Sequence, residues 1–406
     1  MNVLFLTISR LTDISTRGIY ADLMRKFRDE GHNVYIAHPN ERRYGQTTCE
    51  EEERCGVRIL SIKTLNLQKT NVVEKGIATL LIERQFRRAI KRYWNDVEFD
   101  LVLYSTPPVT FTSVIRSIKQ RSPHCISYLL LKDIFPQNAV DLGMFAKWSP
   151  LYGYFRHKER MLYRMSDYIG CMSPANVDFI VKHNPKLDVQ RIEVAPNSIE
   201  LPTDKVTIER RAIRQKYGLP TDRPIFIYGG NIGKPQGIDF MCRALQRNSK
   251  RRDCHFLIVG SGTEYAKVER WTREQHPENV TLIGTLPKAE YDMLVAACDV
   301  GMIFLDHRFT IPNYPSRLLS YLENRMPIVA ATDPNSDIGT IAEQNGYGLW
   351  CESCDVERFS AMLDKMLAST EQIAEMGERG YRFLVGNYLT EHTYSAIVKH
   401  LNPITK

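Results

Sequence analysis

Long apolar runs are missing from this chain of 406 residues. No stretch reaches the roughly 18 consecutive apolar residues of a membrane-crossing helix, which excludes such spans. The opening Met1-Asn-Val-Leu-Phe-Leu-Thr-Ile8 has neither the basic leader nor the length of a signal peptide, so the expected location is the cytoplasm. Cysteine is sparse: there are nine, an odd count, mostly scattered singly among apolar neighbours, which argues against a disulfide framework and for a reducing compartment. Cys351 and Cys354 form one C-x-x-C, but no second pair or nearby histidine completes a zinc set. Repeats and low-complexity tracts are absent too, as are the G-x-G-x-x-G fingerprint and the P-loop, so a dinucleotide or ATP site is not supported.

What is present describes a globular α/β protein. A 43% hydrophobic and 25% charged composition supports packed cores, and the length suggests two domains, each large enough for its own. Short apolar strands alternate with longer helical patterns. In the first half the strands are expected at Val3 to Ile8, Asn33 to Ala37, Val57 to Ser61, Leu101 to Tyr104, Cys125 to Leu131, Tyr168 to Cys171 and Ile192 to Ala195. In the second half they are expected at Ile225 to Tyr228, Cys254 to Val259, Val280 to Ile283, Val300 to Phe304, Ile328 to Ala331 and Gly348 to Trp350. Strands separated by helices imply parallel sheets with crossover helices, hence two Rossmann-like domains. Pro196, Asn197 and Pro202 interrupt the pattern, so the boundary is placed at Pro196 to Lys205, with domains over 1–200 and 201–387. Helices are expected over Ile208 to Tyr217 and through Gln372 to Leu401, the last of them (388–406) packing back on the first domain.

Charge divides unevenly. Residues 1–200 carry 29 Lys+Arg against 22 Asp+Glu, and residues 201–406 carry 25 of each, so the whole excess of +7 sits in the first half. Lys75 to Arg92 holds six cations against the single Glu83, with Ile82, Phe86, Ala89, Ile90 and Tyr93 at helical spacing. Lys147 to Arg160 mixes aromatic residues with cations. Both segments suit contact with anionic lipid or a pyrophosphate; both also suit helices with a solvated basic face. The cations follow no recognisable nucleic-acid module, so no nucleic-acid partner is expected.

Ligands of doubly wound sheets sit beyond the carboxyl ends of their strands, in the cleft between facing domains. Four strand ends in the second half lead into turns of the right kind: Gly229-Gly-Asn-Ile-Gly-Lys-Pro-Gln-Gly237, Gly260-Ser-Gly-Thr-Glu264, Gly284-Thr-Leu-Pro-Lys288 and Asp306 to Pro315. Glycines let backbone N–H groups approach phosphate oxygens, and Lys234 adds charge. The last turn runs into Tyr314 to Ala331, where Pro315 and Ser316 are expected to open a helix, the serine by accepting a free N–H. Leu318, Leu319 and Leu322 form the buried side of that helix, and Arg317 places a positive charge at its mouth, an arrangement suited to a diphosphate.

The order Gly-Gly-Asn-x-Gly-x-x-Gln-Gly, Val-Gly-x-Gly, Gly-x-Leu-Pro and Pro-Ser-(Lys/Arg)-x-x-x-Tyr-x-x-x-x-x-Pro resembles the bacterial family-four glycosyltransferases of the GT-B fold, in the branch that builds O-antigen and capsule repeat units. Arg17-Gly18, Ser105-Thr-Pro-Pro108, Lys132-Asp-Ile-Phe-Pro136 and Pro196-Asn197 agree with it in the first half. The resemblance implies two Rossmann-like domains facing across a cleft. The activity it implies is sugar transfer from a nucleotide diphosphate sugar, expected to be a UDP-sugar, to a glycan acceptor. It further implies retention of anomeric configuration, a lipid-linked acceptor carried on a polyprenyl diphosphate, peripheral work at the inner membrane face, and no metal or other cofactor. The lack of any D-x-D triplet is consistent with the last point.

By position, Gly230, Asn231, Lys234 and Gln236 would line the diphosphate and sugar. Ser261 and Gly262 would close over the nucleotide, Leu286 and Pro287 would face the base, and Ser316 with Arg317 would hold phosphate. Arg17 and Gly18 would approach from the first domain. Asp133 falls where relatives face the donor sugar with a histidine or aspartate; read on its own it also suits an N-cap for a helix starting near Phe135. The family's two glutamates eight residues apart are replaced by Pro312 and Ser320. Ser320 can still bond a ribose hydroxyl, and Glu323, three residues on and on nearly the same helix face, can take the ribose instead and stand as the second catalytic carboxylate beside Asp133. Two alternatives remain open at this point: a nucleotide-sugar epimerase or hydrolase on the same fold, and a non-catalytic nucleotide-sugar-binding scaffold.

Overall fold

The computed structural model describes residues 1–45, 47–54, 56–67, 70, 72–202 and 209–401. The chain forms two compact units, Met1–Glu200 with Leu389–Lys406, and Leu201–Tyr388. Of the expected Pro196 to Lys205 boundary, residues 203–205 lie outside the described residues, as does Ile208.

The first unit is built on β1 (Asn2–Leu6), β2 (Asn33–Glu41), β3 (Cys49–Arg54), β4 (Val57–Thr64), β5 (Leu101–Ser105), β6 (Ile126–Leu131), β7 (Tyr168–Cys171) and β8 (Ile192–Val194), in the order β3-β4-β2-β1-β5-β6-β7-β8. All neighbours pair in parallel except β3, which runs antiparallel to β4 at the edge. Seven of these strands were legible in the sequence; the inner ones are largely buried, while β8, at the other edge, leaves Val194 exposed. β3 was not expected, because Cys-Glu-Glu-Glu-Glu-Arg has little strand propensity. Its place at an edge supplies a partner that propensity does not: Glu50 pairs with Arg58 of β4 at 2.6 Å and accepts the Trp94 indole N–H at 2.6 Å.

Helices Val72–Tyr93, Thr112–Arg121 and Pro150–Met165 pack side by side on one face of this sheet. The first buries Ile82, Phe86, Ala89 and Ile90, the face its spacing predicts. The last helix, Thr390–Val398, lies against Ile19–Asp29, where Ile397 and Leu401 join Phe27, Val34 and Ile36 in one core. Tyr394 meets His32 Nε2 at 2.9 Å, and Glu193 receives Lys399 at 2.5 Å and His400 at 2.9 Å.

The second unit holds β9 (Ile225–Asn231), β10 (His255–Ser261), β11 (Val280–Ile283), β12 (Val300–Phe304), β13 (Ile328–Thr332) and β14 (Gly348–Glu352), all parallel, in the order β11-β10-β9-β12-β13-β14. Strand order reverses at β9, which sits between β10 and β12. Such a switch point opens a crevice at the carboxyl ends of the strands. β9 and β10 run three and two residues beyond their expected ends, carrying Gly229 to Asn231 and Gly260 to Ser261 into the ladder.

Candidate active site

The loops beyond β9, β10 and β12 are tied together by backbone bonds. Ile232 N–H donates to Ser261 O at 2.9 Å, Glu264 N–H to Ile232 O at 2.9 Å, and Asp306 N–H to Pro235 O at 3.0 Å. The glycines here answer to two different demands. A Cβ on Gly229 would stand 1.9 Å from the Tyr291 hydroxyl, and one on Gly262 would stand 2.2 Å from Ile232 O, so close packing within the fold excludes side chains at both. Gly230 has φ 116, a backbone region that favours glycine, yet its nearest neighbour would be Arg317 at 3.7 Å, which leaves the crevice before it open.

Gln236 is committed inside its own loop: its Oε1 accepts from Asn231 Nδ2 at 3.0 Å and from Gly233 N–H at 3.2 Å. Asn231 and Lys234 are exposed, and Lys234 forms no ion pair among the described residues. Leu286 and Pro287 precede the helix Lys288–Ala296, whose Tyr291 packs on Gly229.

The helix Arg317–Glu323 starts where the sequence placed it and buries Leu318, Leu319, Tyr321 and Leu322. Its cap differs from expectation. Ser316 occupies the N-cap with helical backbone angles and makes no side-chain cap bond; the first turn closes instead through Leu318 N–H to Pro315 O at 3.2 Å and Leu319 N–H to Ser316 O at 3.1 Å. With only seven residues the helix carries a short dipole, so the charge at this mouth is chiefly that of Arg317.

Arg317 stands with its guanidinium 4.3 Å from the centre of the Tyr228 ring, and Tyr291 and Tyr321 stand nearby. Tyr321 accepts Gly229 N–H at 3.1 Å and donates to Met302 O at 3.4 Å, which locks helix and sheet together. Burial pushes the Tyr291 hydroxyl up to about 12 and raises those of Tyr228 and Tyr321 as well, so all three rings stay neutral. No ion pair to Arg317 exists among the described residues, and its buried Nη1 has no hydrogen-bond partner. The cation is thus held by ring faces and neutral dipoles, with its charge left uncompensated. None of the three tyrosines was singled out from the sequence, although Tyr321 lies inside the Pro-Ser-(Lys/Arg)-x-x-x-Tyr motif and Tyr228 ends the strand before the glycine loop.

In the first unit, Arg17 donates to Glu200 O at 2.6 Å, and Gly18 caps the helix Ile19–Asp29, its N–H donating to Asp22 Oδ1 at 2.9 Å. Asp133 lies beyond β6. It is no helix cap: the next helix is Gln137–Asp141 with Pro136 at its cap position. Its carboxylate instead accepts both bonds of the Asn138 side-chain amide, at 2.8 and 2.9 Å, while Thr106 Oγ1 receives the Lys132 and Asp133 N–H groups at 3.1 and 3.3 Å. Loss of hydration pushes the Asp133 carboxyl up to about 6 despite the Asn138 bonds.

Residues 209–383 match the family model described as glycosyl transferases group 1. The chain is similar to the probable glycosyltransferase WbjE of Pseudomonas aeruginosa, 23% identical over 304 residues and 73% of each chain. It is also similar to the putative colanic acid biosynthesis glycosyl transferase WcaI of Escherichia coli K12, 26% identical over 135 residues and 32% of each. Among solved structures it shares the fold of Anabaena Alr3699/HepE in complex with UDP, with TM-score 0.70 at 13% identity, covering 99% of this chain and 100% of that one. Two parallel-sheet units and a group 1 domain spanning every loop around Arg317 identify the chain as a glycosyltransferase of the GT-B fold, resembling the bacterial family-four enzymes.

Proposed function

We propose that the enzyme transfers a sugar from a UDP-sugar to a glycan carried on a polyprenyl diphosphate, with retention, as a step in building a bacterial surface polysaccharide. The observation that carries the donor side is Arg317: a half-buried cation with no carboxylate partner among the described residues and a buried, unbonded Nη1, facing the loop of Gly230. A diphosphate supplies the missing charge and acceptors, and the arginine with Lys234 offsets leaving-group charge without a divalent metal. Around that anchor, the backbone of Gly230, Asn231, Ser261, Gly262 and Ser316 lines phosphate and nucleotide, Gln236 holds the loop, and Leu286 and Pro287 face the base. The UDP bound by a structural neighbour and the polysaccharide named for a curated relative support this reading.

For the ribose contact, helical spacing favours Ser320 over Glu323. At about 100° per residue, Ser320 projects about 60° from Arg317 around the axis and Glu323 about 120°, one turn further along. The ribose therefore falls to the Ser320 hydroxyl, with Glu323 turned aside. On the first unit, Asp133, held by Asn138, is the carboxylate suited to orient a sugar hydroxyl or stabilise positive charge at the anomeric carbon. The basic first unit meets the lipid-linked acceptor at the inner face of the cytoplasmic membrane.

Calorimetric titration with UDP and UDP-sugars tests the anchor. Arg317→Ala is expected to weaken donor binding about 10- to 100-fold, the equivalent of the roughly 1.5–3 kcal/mol of a hydrogen bond to a charged group. Unchanged affinity in that variant refutes the assignment.

A further inference from the structure

Beyond β13 the chain turns through Asp333-Pro-Asn-Ser336 into the helix Ile338–Gln344. Asp333 is fully buried, and three donors meet its carboxylate. The Asn335 and Ser336 N–H groups each reach Oδ1 at 2.9 Å, and the Ser336 hydroxyl reaches Oδ2 at 2.8 Å. Among the described residues no cation pairs with it. Taking an ionised carboxylate out of water on hydrogen bonds alone is unfavourable, and a strand-to-helix turn can be made without one. The carboxylate therefore answers to something beyond its own turn.

Its bonds lead to the neighbouring loop, Asp306 to Pro315. Ser336 Oγ accepts the Asn313 N–H at 2.8 Å, and Asn335 Nδ2 donates to Phe309 O at 2.7 Å. A carboxylate only accepts, so it draws the Ser336 hydroxyl proton to itself and leaves the oxygen's lone pairs for Asn313. Behind the turn, Thr332 Oγ1 donates to Asp333 O at 3.0 Å and accepts the Trp350 indole N–H at 2.8 Å, which anchors the turn to β14. Asn313 stands four residues before Arg317. Pro312 and Pro315 restrict the backbone on either side of it, and Pro315 O receives Leu318 N–H at 3.2 Å in the first turn of the Arg317 helix. Little rotational freedom is left between the held Asn313 N–H and the guanidinium, so a shift of one displaces the other. A forked guanidinium–phosphate contact is sensitive to such a displacement.

We propose that Asp333 is a positioning residue for donor binding: through Ser336 and Asn335 it fixes the loop from Asp306 to Pro315, and through that loop the place of the Arg317 guanidinium. The inference rests on Arg317 as the diphosphate anchor, and calorimetric titration of the full-length protein with UDP separates the two. Asp333→Asn and Ser336→Ala change little in volume. The first sets an NH2 group where the carboxylate met only donors, and the second leaves the Asn313 N–H without its acceptor. Each is expected to weaken UDP binding about 3- to 10-fold. Made in the Arg317→Ala background, the same changes should weaken it less than about two-fold, because the group being positioned is gone. A merely structural role lowers affinity by the same factor in both backgrounds, and that result overturns the inference. So does unchanged UDP affinity in either single variant while Arg317→Ala binds weakly. Weakening in both with none in Arg317→Ala alone refutes the anchor itself, and with it the route through Arg317.

Discussion

Asp133 shows how one residue ties environment to a measurable property. Its carboxyl is pushed up to about 6 by burial, so it takes up a proton as pH falls through that value. If the anion serves the transferred sugar, kcat falls on the acid side with a limb near pH 6, while donor affinity changes little. Asp133→Asn is expected to lower kcat strongly and to abolish that limb; a variant that keeps both rate and limb would remove Asp133 from the chemistry. The stability sign runs the other way. A folded pKa above the ordinary 3.8 means that the unfolded chain releases this proton first, so the group costs stability as pH rises from 3.8 to about 6. Asp133 could be singled out as a candidate because it follows an apolar strand in a motif that carries the family resemblance. Tyr228, Tyr291 and Tyr321 were not, because their role lies in ring faces turned toward one arginine, and neither spacing nor composition encodes that.

At the scale of the element, the helix Arg317–Glu323 was readable in position, buried face and stop, since apolar spacing and Pro327 fix all three. Its cap was not, because a serine before a helix does not reveal whether its hydroxyl turns inward. β3 escaped for a related reason: an edge strand draws its stability from its partner, and four glutamates hide it. On the proposed reading the ribose falls to Ser320 rather than to Glu323. Ser320→Ala is expected to raise the donor KM about 3- to 10-fold, the loss of one neutral hydrogen bond, and Glu323→Ala to leave it nearly unchanged. The reverse order of effects would return the ribose to Glu323.

Over the whole molecule, strand alternation revealed two parallel sheets, whereas the return of the chain after Tyr388 could be anticipated only from family likeness. Its physical basis is now plain: Tyr394, Ile397 and Leu401 complete the core beneath Ile19–Asp29. Ending the chain at Tyr388 exposes that core at roughly 1.5–3 kcal/mol for each large apolar side chain lost. Calorimetry of the truncated protein should show the first unit melting earlier and the second unit unmoved; a single unshifted transition would contradict that packing.

Acceptor-dependent release of UDP tests the central claim most directly. Purified protein is incubated with UDP-sugars, with and without polyprenyl-diphosphate-linked saccharide extracted from membranes, and free UDP is followed. The account predicts release that requires the lipid-linked acceptor, persists in chelator, and collapses in Arg317→Ala and Asp133→Asn. Tight UDP-sugar binding with no turnover on any acceptor, or a sugar altered without one, would contradict it.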